Sequence, residues 1–317
     1  MNKTKISVIM SIYNSEKFLD KSIQSILNQT FKNFEFIIIN DCSTDNSLRI
    51  IKEYIKKDKR IKLIKNTENI GLTKSLNKGL RKAKGRYIAR MDADDISLPE
   101  RFQIQYDYLE QHPNIFLIGG GALNIDEKEI IRTINKTITG SDLIKKNLYS
   151  KNCIYHPTIM FRNEKNIFYR EKFKYAQDYD FYLMLLSKGK IFGNLREPLI
   201  KYRINSKAVS WYQKSKQRLF EIKAREFYHQ RLKYDKDEYS KFNPKEILNL
   251  DVENSTDKIV LESEIKASFK LNDFKRTRKF CRKYFKHYRF NNRMVIYYFL
   301  SFTGENIVNF LRGIKYN

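Results

Sequence analysis

The first hundred residues switch between two hydrophobic periods. Residues 6–10 form a short β-rich run, and Phe18, Leu19, Ile23, Ile26 and Leu27 then recur at helical spacing behind Ser15, a residue suited to start a helix. Residues 34–39, Phe-Glu-Phe-Ile-Ile-Ile, are almost continuously apolar. A run of that kind suits a parallel strand covered on both faces. Ser43 or Thr44 is the expected cap of a second helix over 47–57. Residues 61–64 read as a third strand, Gly71 opens a helix over 72–83, Gly85 stops it, and 87–91 is a fourth strand. This alternation predicts an α/β fold: a Rossmann-like, mostly parallel open sheet with helices on both sides. In such sheets ligands gather beyond the carboxyl ends of the strands.

Beyond residue 100 the pattern loosens. A helix is expected from Pro99 to about Gln111, a strand over 115–123 with a glycine break at 119–121, a strand over 155–162, and a helix over 176–187. From Trp211 onward strands disappear and basic helical segments take over. The chain therefore divides into an α/β domain over 1–210 and a basic helical C-terminal region over 211–317, in which stacked helix pairs are expected without a repeat period.

Composition sharpens the second half of that picture. Of the 317 residues, 62 are Lys or Arg against 36 Asp or Glu, a formal net charge of +26. Such a balance selects polyanionic partners: phosphorylated small molecules, nucleic acid or an anionic membrane face. The three cysteines, Cys42, Cys153 and Cys281, are scattered without CxxC spacing, which excludes a disulfide framework and a cysteine zinc site and suits a reducing compartment. No secretory-signal pattern opens the chain, and no apolar run reaches membrane-spanning length. The expected location is cytoplasmic, with peripheral contact on the inner membrane face as a further reading.

Two of the strands end in carboxylates. Asp41 follows the second, and Asp92, Asp94 and Asp95 follow the fourth. Carboxylates packed this closely repel one another unless a cation sits among them. Mg²⁺ or Mn²⁺ takes hard oxygen ligands and uses one or two carboxylates together with substrate phosphates. The alternative is a solvated turn whose Asp94 or Asp95 caps the next helix. No GxGxxG follows the first strand and no GxxxxGK[ST] occurs, so dinucleotide and P-loop chemistry are not indicated.

Four segments in order, ISVIMSIYNSEKFLDKSIQSILNQTFKNFEFIIINDCSTDNS, ENIGLTKSLNKGLRKAKGRYIARMDADDISLPERF, CIYHPTIMFR and AQDYDFYLML, resemble the family 2 glycosyltransferases over roughly residues 4–210. The resemblance implies the A-type glycosyltransferase fold and inverting transfer of a sugar from a nucleotide-diphosphate donor, a UDP-sugar, to a glycan hydroxyl in bacterial surface-polysaccharide synthesis. It implies a divalent cofactor, Mn²⁺ or Mg²⁺. By position it places Ser11 and Tyr13, after the first strand, in the base pocket. Asp41 is placed on the pyrimidine N–H, Asp92 near the ribose and metal, Asp94 on the metal, and Asp178 as catalytic base. His156 falls near the diphosphate or acceptor, and Lys74 within reach of the diphosphate.

The sequence departs from the family pattern at Asn40, Cys42 and Gln177, where aspartate, glycine and glutamate are frequent, and it lacks the QxxRW of processive synthases. Single-sugar addition is therefore expected. Asp180, two residues after Asp178, could serve as base in its place, and Asp178 could instead cap its own helix. Residues 266–293 hold eleven Lys or Arg against one acid, Asp273, with aromatics between them. Three readings stand for this tail: basic helices packed on the enzyme, a peripheral contact with anionic membrane that suits a lipid-linked acceptor, or nucleic-acid binding, for which no motif is present. The rival to an enzyme is a basic membrane- or nucleic-acid-binding protein on a catalytically degenerate scaffold.

Overall fold

The computed structural model describes residues 4–204 and 213–308. It divides into two compact units, one of residues 1–205 with 227–238, the other of 206–226 with 239–317. The expected boundary near 210 lies outside the described residues.

The first unit is built on one sheet in the order β3-β2-β1-β4-β8-β6-β9-β5, with β7 pairing β6. β1 (Ile6–Ile12), β2 (Phe34–Asn40), β3 (Ile61–Lys65) and β4 (Tyr87–Met91) run parallel. The other half is mixed. β8 (Met160–Arg162) lies antiparallel between β4 and β6 (Ile115–Ile125), and β6 pairs β9 (Ile191–Arg203) in parallel. The short β5 (Ile96–Ser97) and β7 (Ile131–Asn135) pair antiparallel on β9 and β6.

Side chains alternate across β1 and β2, and each face meets helices. Val8, Met10, Phe36 and Ile38 share a core with Leu19, Ile23 and Ile26 of α1 (Glu16–Leu27), Ile51 of α2 (Ser47–Lys57) and Phe102 and Leu109 of α4 (Arg101–Gln111). Ile9 and Ile39 face α3 (Leu72–Lys82). A Cβ on Gly79 there would meet the Ile9 side chain at 2.7 Å and Ile39 at 2.9 Å, so glycine sets how closely α3 approaches the sheet. Covered on both sides, these strands read as continuous apolar runs.

Several elements differ from expectation. The strand over 155–162 is only β8. Pro157 sets a 3₁₀ turn at His156–Thr158 before it, because proline has no N–H to give a ladder. The glycines at 119–121 do not break β6; they shift its register against β9. Neither Ser43 nor Thr44 caps α2. Asp45 instead accepts from Ser47 N–H at 2.9 Å and from Glu16 N–H of α1 at 2.9 Å, while Glu16 accepts from Asn46 N–H at 2.9 Å. The starts of α1 and α2 thus cap one another, and the loops beyond β1 and β2 are tied side by side.

The second unit is helical where described. Lys258–Lys270 and Phe274–His287 pack on each other and on Asn292–Leu300 through Leu261, Ile265, Phe280, Cys281, Tyr284 and Met294. Asp257 and Asp273 cap the first two of these helices with their carboxylates. No helix among the described residues is long and apolar enough to cross a membrane.

Candidate active site

Ile12 of β1 lies opposite Asn40 of β2, and Met10 of β1 opposite Met91 of β4. Tyr13, Asp41 and Asp92 therefore leave three adjacent strands at the same carboxyl edge. Tyr13 is half exposed there. Ser11 does not follow the strand as expected: β1 continues to Ile12, and Ser11 is paired within it opposite Ile39.

Asp41 is buried and organises a loop. Its carboxylate accepts from Asn66 Nδ2 at 2.7 Å, Ile70 N–H at 3.0 Å and Gly71 N–H at 2.8 Å, the last two at the amino end of α3. A carboxylate offers about four acceptor positions, so one is left for a further donor. The neighbouring Cys42 has φ +60°. That left-handed conformation strains any residue with a Cβ and explains why glycine is frequent there. Cys42→Gly is expected to stabilise the fold by roughly 0.5 kcal/mol, read as a rise in the urea midpoint; a fall would show that the 3.5 Å thiol contact to the Thr67 carbonyl outweighs the strain.

The acidic segment after β4 is held from several sides. Ser22 of α1 donates to the carbonyls of Asp92 and Asp95. Arg90, buried in β4, pairs through both terminal nitrogens with Asp92. Arg203, the last residue of β9, donates its backbone N–H to Asp95 Oδ1 at 2.8 Å and its Nε to the Asp94 carbonyl at 2.9 Å. Carboxylate oxygens of Asp92, Asp94 and Asp95 lie within 4.8 Å of one another. The helix-cap alternative fails, because α4 starts at Arg101 with Glu100 at its cap position. Burial first, then the Asp92 charge, lifts the Asp94 carboxyl to about 6. Burial and the Asp94 and Asp92 charges lift Asp95 well above the carboxylate range.

Asp178 stands in the first turn of α6 (Gln177–Ser187) and accepts from Asn152 Nδ2 at 2.7 Å. It is not the cap. That position is Ala176, left-handed at φ +53°. Strain of this kind, about 1 kcal/mol or more, concentrates at functional sites. Asp180 stands in a different environment. It is fully buried and clamped by Arg170, which also pairs with Asp237.

A buried phenol that sequence reasoning missed, Tyr169, feels both Asp178 and the acidic segment. Tyr169 OH is 2.7 Å from His156 Nε2. Burial raises the Tyr169 phenol, Arg90 opposes, and the charges of Asp178 and Asp92 both add to the rise. The Tyr182 phenol is raised first by burial and next by Asp178. One phenol thus feels both carboxylate sites. Burial, then Arg90, holds His156 well below its usual range, so it is neutral. Lys74 is exposed on the first turn of α3. A cavity of about 650 Å³ lined by Lys5, Arg81, Lys84, Arg86, Asn163 and Phe168 lies at the opposite, amino edge of β1 and β4, away from these carboxylates.

Comparison with known proteins identifies the family. Residues 7–172, more than half of the chain, match the profile of glycosyl transferase family 2. An uncharacterized glycosyltransferase of Methanocaldococcus jannaschii is 39% identical over 225 residues, 69% of this chain and 78% of that protein. The O-antigen biosynthesis glycosyltransferase WbnJ of Escherichia coli is 39% identical over 214 residues, 64% of this chain and 81% of that one. Among solved structures, S. aureus TarS 1–349 in complex with UDP-GlcNAc has a TM-score of 0.58 at 19% identity, over 90% of this chain and 89% of TarS. With the parallel half-sheet, the acidic strand ends and these matches together, the chain belongs to glycosyltransferase family 2.

Proposed function

We propose that this enzyme is an inverting glycosyltransferase that moves a single sugar from a UDP-sugar, with help from a divalent cation, to a hydroxyl of a growing surface glycan. The observations that carry this reading are the Asp92, Asp94 and Asp95 cluster leaving the sheet at the same carboxyl edge as Asp41, and a buried Tyr169 phenol that feels the charges of both Asp92 and Asp178. A one-step displacement needs two such ends, a base for the incoming hydroxyl and charge stabilisation for the leaving diphosphate. The UDP donor and the surface-glycan setting draw support from the UDP-GlcNAc carried by TarS and the O-antigen pathway named for WbnJ.

The residues fit a cation. Asp95 Oδ2 is a buried acceptor with no hydrogen-bond donor among the described residues, beside two further carboxylates. Asp94 and Asp92 would hold Mn²⁺ or Mg²⁺, with Asp95 behind them. Such an ion, when bound, supplies Lewis-acid stabilisation of diphosphate charge. Asp178 takes the proton from the acceptor hydroxyl, oriented by Asn152. The free acceptor position of Asp41 receives the pyrimidine N–H, and Tyr13 lies against the base with Ser11 beneath it. Lys74 reaches toward the diphosphate. His156, neutral and buried, acts on that side only through Tyr169. The acceptor is lipid-linked and the reaction runs at the cytoplasmic face of the membrane.

The raised Asp94 pKa gives the test. The carboxyl keeps its proton up to about pH 6 when no metal is present. The stability contributed by protonation is full below the unfolded value near 4 and is lost as pH rises through about 6. Cation binding requires that proton to leave. At limiting Mn²⁺, release of UDP from a UDP-sugar is expected to rise by about tenfold in all between pH 5 and 7 and then level off. Metal-free turnover, or a Mn²⁺ requirement independent of pH, would contradict the reading. Product of the donor's own anomeric configuration would contradict inversion.

A further inference from the structure

We propose that the second unit docks on an anionic lipid bilayer through an aromatic patch around Phe299. The helix Asn292–Leu300 turns Met294 into the core of that unit, with Tyr297 and Tyr298 packed against it. Its other face carries Arg293, Ile296 and Phe299 outward. Four large apolar side chains lie open here: Phe290 is 78% exposed, Ile296 55%, Phe299 65% and Phe302 58%.

The aromatic ones are linked in one surface. The Phe285 ring is 5.2 Å from Phe290 and 5.8 Å from Tyr298, and Tyr298 is 5.9 Å from Phe299 and 5.2 Å from Phe302. Single exposed apolar residues are ordinary, whereas a contiguous group marks a binding surface.

Charge identifies the occupant. Residues 274–304 contain no Asp or Glu. Arg282, Lys286, Arg289 and Arg293 are exposed in the same stretch, and the Arg278 guanidinium sits 4.9 Å over Phe302. Exposed aromatic rings set among exposed cations match the lipid interface, rings at headgroup depth and cations at the phosphates. A second copy of the chain would bring its own cations against these, so self-association is disfavoured. The contact goes beyond the reaction proposed above and stands whether or not the donor is a UDP-sugar.

Flotation of the full chain tests this, with vesicles of phosphatidylcholine alone or mixed equally with phosphatidylglycerol. The wild type is expected to float with the mixed vesicles and not with phosphatidylcholine alone. Ile296→Ser/Phe299→Ser should lose at least about tenfold in partition, with an unchanged thermal midpoint and unchanged UDP release in solution, since both side chains are exposed. Arg289→Gln/Arg293→Gln should lose roughly twenty-five-fold at low salt, at about fivefold per charge. The proposal is overturned if the wild type ignores anionic vesicles, or if the serine variant floats as well as the wild type. It is also overturned if the serine substitutions abolish instead a dimer seen by light scattering or binding to an RNA homopolymer.

Discussion

Asp178→Asn is expected to lower transfer by about 10²–10⁴-fold, the usual worth of a positioned general base, while leaving donor affinity unchanged. Asn retains an oxygen that can accept from Asn152 Nδ2, and the first turn of α6 loses only a charge. The helix's positive end favours the carboxylate over its acid, which suits a base and not an acid. In the proposed mechanism donor affinity depends on the other acidic end of the site, so a fall in kcat with constant donor Kd separates the two roles. Retained transfer would mean that the proton leaves by another route. Asp180→Asn should behave differently. It loosens a buried clamp with Arg170 and destabilises the fold.

Arg90→Met is expected to destabilise the protein by about 3 kcal/mol, a drop of about 6–9 °C in Tm. Arg90 is a buried cation beside Asp92, Asp94 and Asp95, and its removal leaves those carboxylates facing one another. The partial exposure of Asp92 keeps the loss at the lower end for a broken buried pair. The expected signature is a Tm that Mn²⁺ restores in part, because a bound cation takes over the missing charge. A variant that matches the wild type in both Tm and metal response would show that Arg90 does not hold the acidic segment together.

The parallel half of the sheet was legible because its strands are covered on both faces and punctuated by Asp and Gly at the turns. The mixed half was not. β9 carries Gly193, Arg196, Glu197 and Pro198 within its span and shifts register against β6, so it shows neither alternation nor a long apolar run. β7 is mostly exposed, and α5 (Ser141–Leu148) is too short for its period to stand out. In the site, the clustered carboxylates announced themselves by spacing. Arg90 did not, because one basic residue inside an apolar strand has no local signal. Arg203 meets the Asp95 carboxylate across 108 positions of chain, a contact that no local spacing reveals. The different burial of Asp178 and Asp180 was likewise not legible, since both stand in the same helical turn.

The most direct measurement is thermal unfolding with UDP and Mn²⁺ on the wild type and on Asp94→Ala. Ligand at about a hundred times its Kd stabilises by about 2.7 kcal/mol, so the wild-type Tm is expected to rise by about 5–10 °C. Asp94→Ala, which removes the carboxylate proposed to hold the cation, is expected to show no rise. An unmoved wild type, or an equal shift in both proteins, would contradict a cation-assisted nucleotide site at the ends of β2 and β4.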